Sequence, residues 1–156
     1  MKIEIGMHAP GFTLFDSEKN HVSLSNFAGQ NVLLLFYPQA FTGVCTKELC
    51  AVRDNIGQYD KMNAVVLGIS VDSVFTLAKY KEEQGYNFPL LSDFNKDVSH
   101  LYGSLYENFA FDMKGVSKRS AFVIDKDGIV RYAEVLENAG EMPSFDAIQN
   151  TLASLS

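Results

Sequence analysis

The sequence of 156 residues predicts an α/β fold, a central mixed β-sheet flanked by helices and preceded by an N-terminal β-hairpin. Three observations carry this. Residues 32–36 and 64–71 are short, almost wholly apolar runs, as strands buried on both faces of a sheet must be. Each is followed by a segment of helical character, the first with apolar residues recurring at three and four positions. Late in the chain two apolar runs flank Asp127-Gly128, a strong hairpin signal. Strand, helix, strand, helix and then a hairpin require parallel and antiparallel neighbours in one sheet.

The elements follow in order. Residues 12–15 and 21–24 alternate about the polar cluster 16–20, which predicts the N-terminal hairpin. The run 32–36 (VLLLF) is the first central strand. Leu49, Val52, Ile56 and Tyr59 form one buried stripe of a helix over 46–62. The second central strand is 64–71, followed by a helix over 73–84 with Ser73 as N-cap and Gly85 just past its end. Residues 97–102 predict a short helix, whereas 102–118 has no clear period. The runs 121–124 and 129–133 form the late hairpin, and 144–153 closes the chain as a helix capped by Ser144. With no linker or internal repeat, 1–156 reads as one domain.

Composition narrows the function classes. Thirteen Lys and Arg against nineteen Asp and Glu give a net charge of -6, with basic residues scattered apart from Lys114, Lys118 and Arg119. This disfavours a nucleic-acid partner. The start, MKIEIGMHAPGF, lacks the apolar core and cleavage site of a secretory signal, and no apolar run has the ~20 residues of a membrane span. The expected location is the cytoplasm, where two cysteines are more consistent with redox or catalytic work than with a structural disulfide. The histidines at 8, 21 and 100 show no ligand spacing, so neither metal nor cofactor is expected.

Both cysteines lie in YPQAFTGVCTKELC, residues 37–50, where the first central strand gives way to a helix. Ligands of α/β sheets bind beyond the carboxyl ends of the strands. Pro38 ends the strand, Thr42 is the expected N-cap, and Cys45 takes the third helical position, where a capping box carries its acid. A thiolate there would receive first-turn N–H groups, the Thr42 hydroxyl and the positive end of the helix dipole. Position 45 also continues the apolar stripe, so local geometry leaves Cys45 between an inert core residue and a nucleophile. Cys50 falls off that stripe, beside Arg53 and Asp54. In a regular helix the two cysteines are separated by ~7.5 Å along the axis, so a disulfide requires unwinding. A cysteine hydrolase using Cys45, His100 and Asp72 or Asp93 satisfies the chain order of one hydrolase fold, but Lys47 breaks its nucleophile motif.

Pro38-Gln39-Ala40-Phe41-Thr42-Gly43-Val44-Cys45 resembles the Pro-x-x-x-Thr-x-x-Cys motif of the peroxiredoxins. Ala9-Pro10-Gly11-Phe12-Thr13-Leu14 is similar to that family's opening segment, and residues 119–128 to its late Arg-x-x-Phe-x-Ile-Asp-x-x-Gly. The resemblance spans nearly the whole chain and implies a thioredoxin-like fold. It implies that Cys45 is the peroxidatic cysteine, Thr42 the hydroxyl that bonds thiolate and peroxide, Pro38 a shield and Arg119 the guanidinium; Glu48, one turn on, is either a tether for Arg119 or simply a first-turn helix acid.

The implied activity is thiol-dependent reduction of hydrogen peroxide and organic hydroperoxides through a Cys45 sulfenic acid. The segment 40–43 is similar to the alkyl hydroperoxide reductase E branch, which works with one cysteine. Cys50 stands where the bacterioferritin-comigratory or Q branch carries a resolving cysteine. Reduction therefore falls to Cys50 or to an external thiol, thioredoxin or a low-molecular-weight thiol. Phe41, Phe109 and Phe111 are candidates for an apolar collar. A homodimer is expected by the same resemblance, and a redox sensor without turnover is the alternative to an enzyme.

Overall fold

The computed structural model describes residues 2–155. Seven strands form one mixed sheet in the order β2-β1-β5-β4-β3-β8-β9, and a separate hairpin pairs β6 with β7. The strands are β1 (Thr13–Asp16), β2 (His21–Ser23), β3 (Asn31–Phe36), β4 (Ala64–Ser70), β5 (Leu90–Ser92), β6 (Leu105–Tyr106), β7 (Val116–Ser117), β8 (Ser120–Ile124) and β9 (Val130–Val135). The helices are α1 (Gly43–Asp54), α2 (Ile56–Lys61), α3 (Val74–Gln84), α4 (Asp97–Leu101) and α5 (Phe145–Leu155). The α/β class, the thioredoxin-like architecture and the N-terminal hairpin are as expected. That hairpin is an extension of the main sheet, because β1 also pairs antiparallel with β5.

Every residue of β3 is buried, and the strand runs parallel to β4 on one side and antiparallel to β8 on the other. Its alternating side chains divide the core. Leu33 and Leu35 face Leu49 and Val52 of α1, Tyr59 of α2, Leu77 and Tyr80 of α3, and Ile148 and Leu152 of α5. Val32, Leu34 and Phe36 face Ile3, Val98 of α4 and Tyr102. Burying a chain of such side chains, each about 1.5–3 kcal/mol, fixes the strand end from which the functional loop departs.

The predicted helix over 46–62 is two helices. Asn55 lies at φ -119°, ψ 18°; its side-chain amide donates to the Ala51 carbonyl and its backbone N–H to that of Val52. These bonds close α1, while Ile56 and Tyr59 continue the stripe on α2, which is why periodicity alone read through the break. Ser73 accepts from the Thr76 N–H and Gly85 sits at φ 62°, so α3 has the ends read from its sequence. The unpatterned segment 102–118 holds the short β6–β7 hairpin, too brief for a periodic signal. Among the described residues no helix is long and apolar enough to cross a membrane.

Candidate active site

The site is built where β3, α1 and β8 converge. Phe36 of β3 is paired with Ser120 of β8, so the register brings Arg119 to the strand end from which residues 37–42 leave the sheet. That loop is shaped by Asp72, whose Oδ2 accepts the Ala40 N–H at 2.8 Å and the Ser70 hydroxyl at 2.7 Å. Phe41 then takes a left-handed conformation, φ 66°, which costs a non-glycine residue about 1–2 kcal/mol. It turns the chain so that Thr42, in extended geometry, starts α1.

Cys45 is 1% exposed, on the first turn of α1. The Gly43, Val44 and Cys45 N–H groups precede the first intrahelical bond, Thr46 N–H to the Thr42 carbonyl, and their residues line a cavity of about 240 Å³. Pro38, Thr42, Phe109, Arg119, Ala139 and Gly140 complete its wall. Arg119 is 2% exposed and fully engaged. Nη2 donates to Cys45 Sγ at 3.1 Å, Nη1 to Glu48 Oε1 at 2.6 Å, and Nε to the Ala139 carbonyl at 2.9 Å. Burial works against its charge, but Glu48 and Cys45 outweigh that and hold the guanidinium above its ordinary range. Burial pushes the Glu48 carboxyl up to about 7 against the pull of Arg119. The guanidinium and the start of α1 both present positive potential at the Cys45 sulfur.

Cys45, Thr42, Pro38, Arg119 and Glu48 are thus brought together as the sequence suggested, with three corrections. Thr42 has the backbone of an N-cap, but its hydroxyl donates to the Gln39 carbonyl at 2.8 Å and makes no cap bond. Cys50 is half-buried against the core, with Sγ 3.7 Å from Gln84 Oε1 and 3.9 Å from the Tyr86 hydroxyl, because α3 and the segment after it close over the flank of α1. The collar reduces to Phe109: Phe111 is 95% exposed, and the half-exposed Phe41 ring packs on Tyr80, 4.8 Å between centroids.

No hydrolase triad forms. His100 is exposed on α4, Asp93 accepts the Val98 and Ser99 N–H groups, Asp72 holds the loop, and none of the three lines the cavity around Cys45. Sequence reasoning missed Asp72 as a loop anchor and the Ala139 carbonyl as a partner of Arg119. Asp72 was legible only as an acid just past a central strand, and a backbone carbonyl leaves no residue-type signal.

The sequence model of the AhpC/TSA family matches residues 5–133. The chain is 37% identical over 156 residues to alkyl hydroperoxide reductase E of Mycobacterium tuberculosis, covering 98% of each. The crystal structure of peroxidoxin BcpB from the same organism is similar at a TM-score of 0.87 and 31% identity, covering 99% of each chain. That of the bacterioferritin comigratory protein of Xanthomonas campestris, described for its alkyl peroxide reduction activity, superposes at 0.80 with 27% identity over 92% of this chain and 90% of that one.

Proposed function

Because the chain belongs to the AhpC/TSA family of peroxiredoxins, we propose that Cys45 is the nucleophile of its peroxidase reaction, with Arg119, Thr42 and Pro38 as the groups around it. The activity is that of a thiol-dependent peroxidase, with a hydroperoxide as substrate and a thiol as reductant. The 3.1 Å contact from Arg119 Nη2 to Cys45 Sγ carries the assignment of residues.

The Cys45 thiolate attacks the terminal oxygen of the hydroperoxide. The S–O bond forms as the O–O bond breaks, the hydroperoxide's own proton staying on the sulfenic oxygen while the departing alkoxide or hydroxide takes up one further proton to leave as alcohol or water. Arg119 stabilises charge that moves from sulfur to the departing oxygen. Thr42 Oγ1, its proton committed to Gln39, offers lone pairs to the peroxide O–H and so orients it. Buried Pro38 brings no N–H and keeps water from the thiolate. In the folded state an external thiol reduces the sulfenic acid, since α1 is continuous from Cys45 to Cys50. Continuous peroxide consumption coupled to a thiol tests this. Turnover lost in Cys45→Ser is expected; a single stoichiometric oxidation of the wild type would refute it and favour a sensor.

The reading extends to a second copy of the chain and to a reducing compartment. Phe15, Phe75 and Phe94, 46%, 71% and 61% exposed, line one concave surface, a contiguous apolar patch of the kind that marks an interface, which supports a homodimer. Two free thiols support the cytoplasm. Sedimentation of wild type against Phe75→Asp tests the first, with a dimer expected only for the wild type.

A further inference from the structure

One cation faces two acids in the buried part of the site. Arg119 donates to Cys45 Sγ and to Glu48 Oε1, and all three side chains are buried. The titratable groups around them add no compensating charge. Burial raises the hydroxyls of Tyr37 after β3, Tyr80 of α3 and Tyr106 of β6, which therefore stay neutral. Asp72, near Tyr37, is a further acid, engaged with Ala40 and Ser70, and Glu137, near Tyr106, pairs with Lys118 at 2.7 Å. Among the described residues Glu48 has no ion pair besides Arg119. In a low-dielectric interior one guanidinium compensates one anion, and a second anion is left with an unrelieved desolvation cost.

Glu48 supplies an independent observation. Its Oε2 is buried and has no hydrogen-bond partner among the described residues. A bare carboxylate oxygen in the interior is costly, whereas a protonated one carries no charge to solvate. The upward displacement of the carboxyl to about 7, despite Arg119, agrees.

We infer that Cys45 and Glu48 share one proton around Arg119, so that the thiolate of Cys45 is accompanied by a protonated Glu48, and oxidation of Cys45 transfers the anionic role to Glu48. The second half rests on the peroxidase reading. The step balances: Cys45 thiolate, hydroperoxide and protonated Glu48 give Cys45 sulfenic acid, alcohol or water, and Glu48 carboxylate. Sulfur is oxidised and the peroxide reduced, and the proton leaving Glu48 ends on the departing oxygen. Arg119 has one anionic partner before and after. Glu48 acts through Arg119 as a positioning residue, and its protonation is coupled to that of Cys45 rather than belonging to it alone.

Methyl methanethiosulfonate tests the shared proton without peroxide. It converts a thiolate to a neutral mixed disulfide, expelling methanesulfinate with no proton of its own. In a Cys50→Ser background at about pH 6, below the folded Glu48 value of about 7 but where ordinary carboxyls are almost wholly ionised, about one proton per modified Cys45 is expected in weakly buffered indicator, and none when Glu48→Gln is added. Infrared difference spectra of the Cys50→Ser protein alone should show a protonated carboxyl stretch replaced by carboxylate bands. No proton release, equal release in Glu48→Gln, or loss of an S–H band in place of the carboxyl band would each overturn the inference. All three leave the peroxidase assignment standing, since that is read from turnover.

Discussion

Arg119 Nη2 stands 3.1 Å from Cys45 Sγ although the two residues are 74 apart in sequence. The contact exists because β8 lies antiparallel to β3, whose end launches the Cys45 helix. Three separate acceptors, Cys45, Glu48 and the Ala139 carbonyl, take the three nitrogens of one planar fork. A lysine keeps the charge but has no such fork. Arg119→Lys is therefore expected to lower the second-order rate constant for peroxide by about 10²-fold or more, the cost of losing one preorganised donor. Stopped-flow kinetics of Cys45 oxidation provides the measurement, and a change under threefold would contradict it.

Thr42 makes no cap bond, so its value to stability is small, while the residue lines the cavity and its hydroxyl donates to the Gln39 carbonyl. Thr42→Val should reduce the same rate constant by about 10- to 100-fold, the worth of one hydrogen bond to a charged or reacting group. Thr42→Ser should stay near wild type, and thermal melting of both should move little. A large fall in melting temperature with unchanged rate would assign Thr42 to structure.

The buried Glu48 carboxyl also makes folding pH-dependent. Its folded value of about 7 exceeds the ordinary 4.5, so between these values the folded state binds more protons than the unfolded one. Stability from this group is fully present below about 4.5 and is lost as pH rises through about 7. Denaturant unfolding should show wild-type stability falling across that window relative to Glu48→Gln. Parallel pH profiles of the two proteins would refute this.

The sequence exposed the fold where side chains obey one period. Residues 32–36 and the stripe through Leu49 and Val52 could be placed because a buried strand and a one-sided helix leave unambiguous patterns. Asn55 hid the break between α1 and α2, since a side-chain bond to the Ala51 carbonyl ends a helix without disturbing its apolar stripe. Cys45 and Arg119 were legible through the peroxiredoxin resemblance and not through local physics, which leaves a cysteine on an apolar stripe ambiguous. The direction of the Thr42 hydroxyl and the burial of Cys50 depend on Gln39 and on the segment after α3, contacts that no spacing rule encodes.

Phe109 is the aromatic that lines the Cys45 cavity, held by stacking on Tyr106 at 5.2 Å between centroids. Phe109→Ala should lower the rate with a bulky organic hydroperoxide by about tenfold relative to hydrogen peroxide, the scale of a lost apolar contact. Phe111→Ala, at a residue 95% exposed, should leave that ratio unchanged. Competition between cumene hydroperoxide and hydrogen peroxide gives the ratio directly. Equal shifts in both variants would remove Phe109 as a selectivity element.

Cys50 lies one and a half turns beyond Cys45 on the same unbroken helix, with its thiol directed at Gln84 and Tyr86 and not at the cavity. The axial offset of ~7.5 Å and the opposed directions exclude a disulfide while α1 is intact. After one equivalent of peroxide without added thiol, mass spectrometry should find Cys45 carrying one oxygen and trapped by dimedone, with Cys50 free. Cys50→Ser should then turn over normally with an external thiol. Low denaturant, by opening the first turns of α1, should convert the sulfenic acid into a Cys45–Cys50 disulfide with loss of water. Rapid disulfide formation in buffer alone would show that α1 unwinds on oxidation, and would make Cys50 the resolving residue.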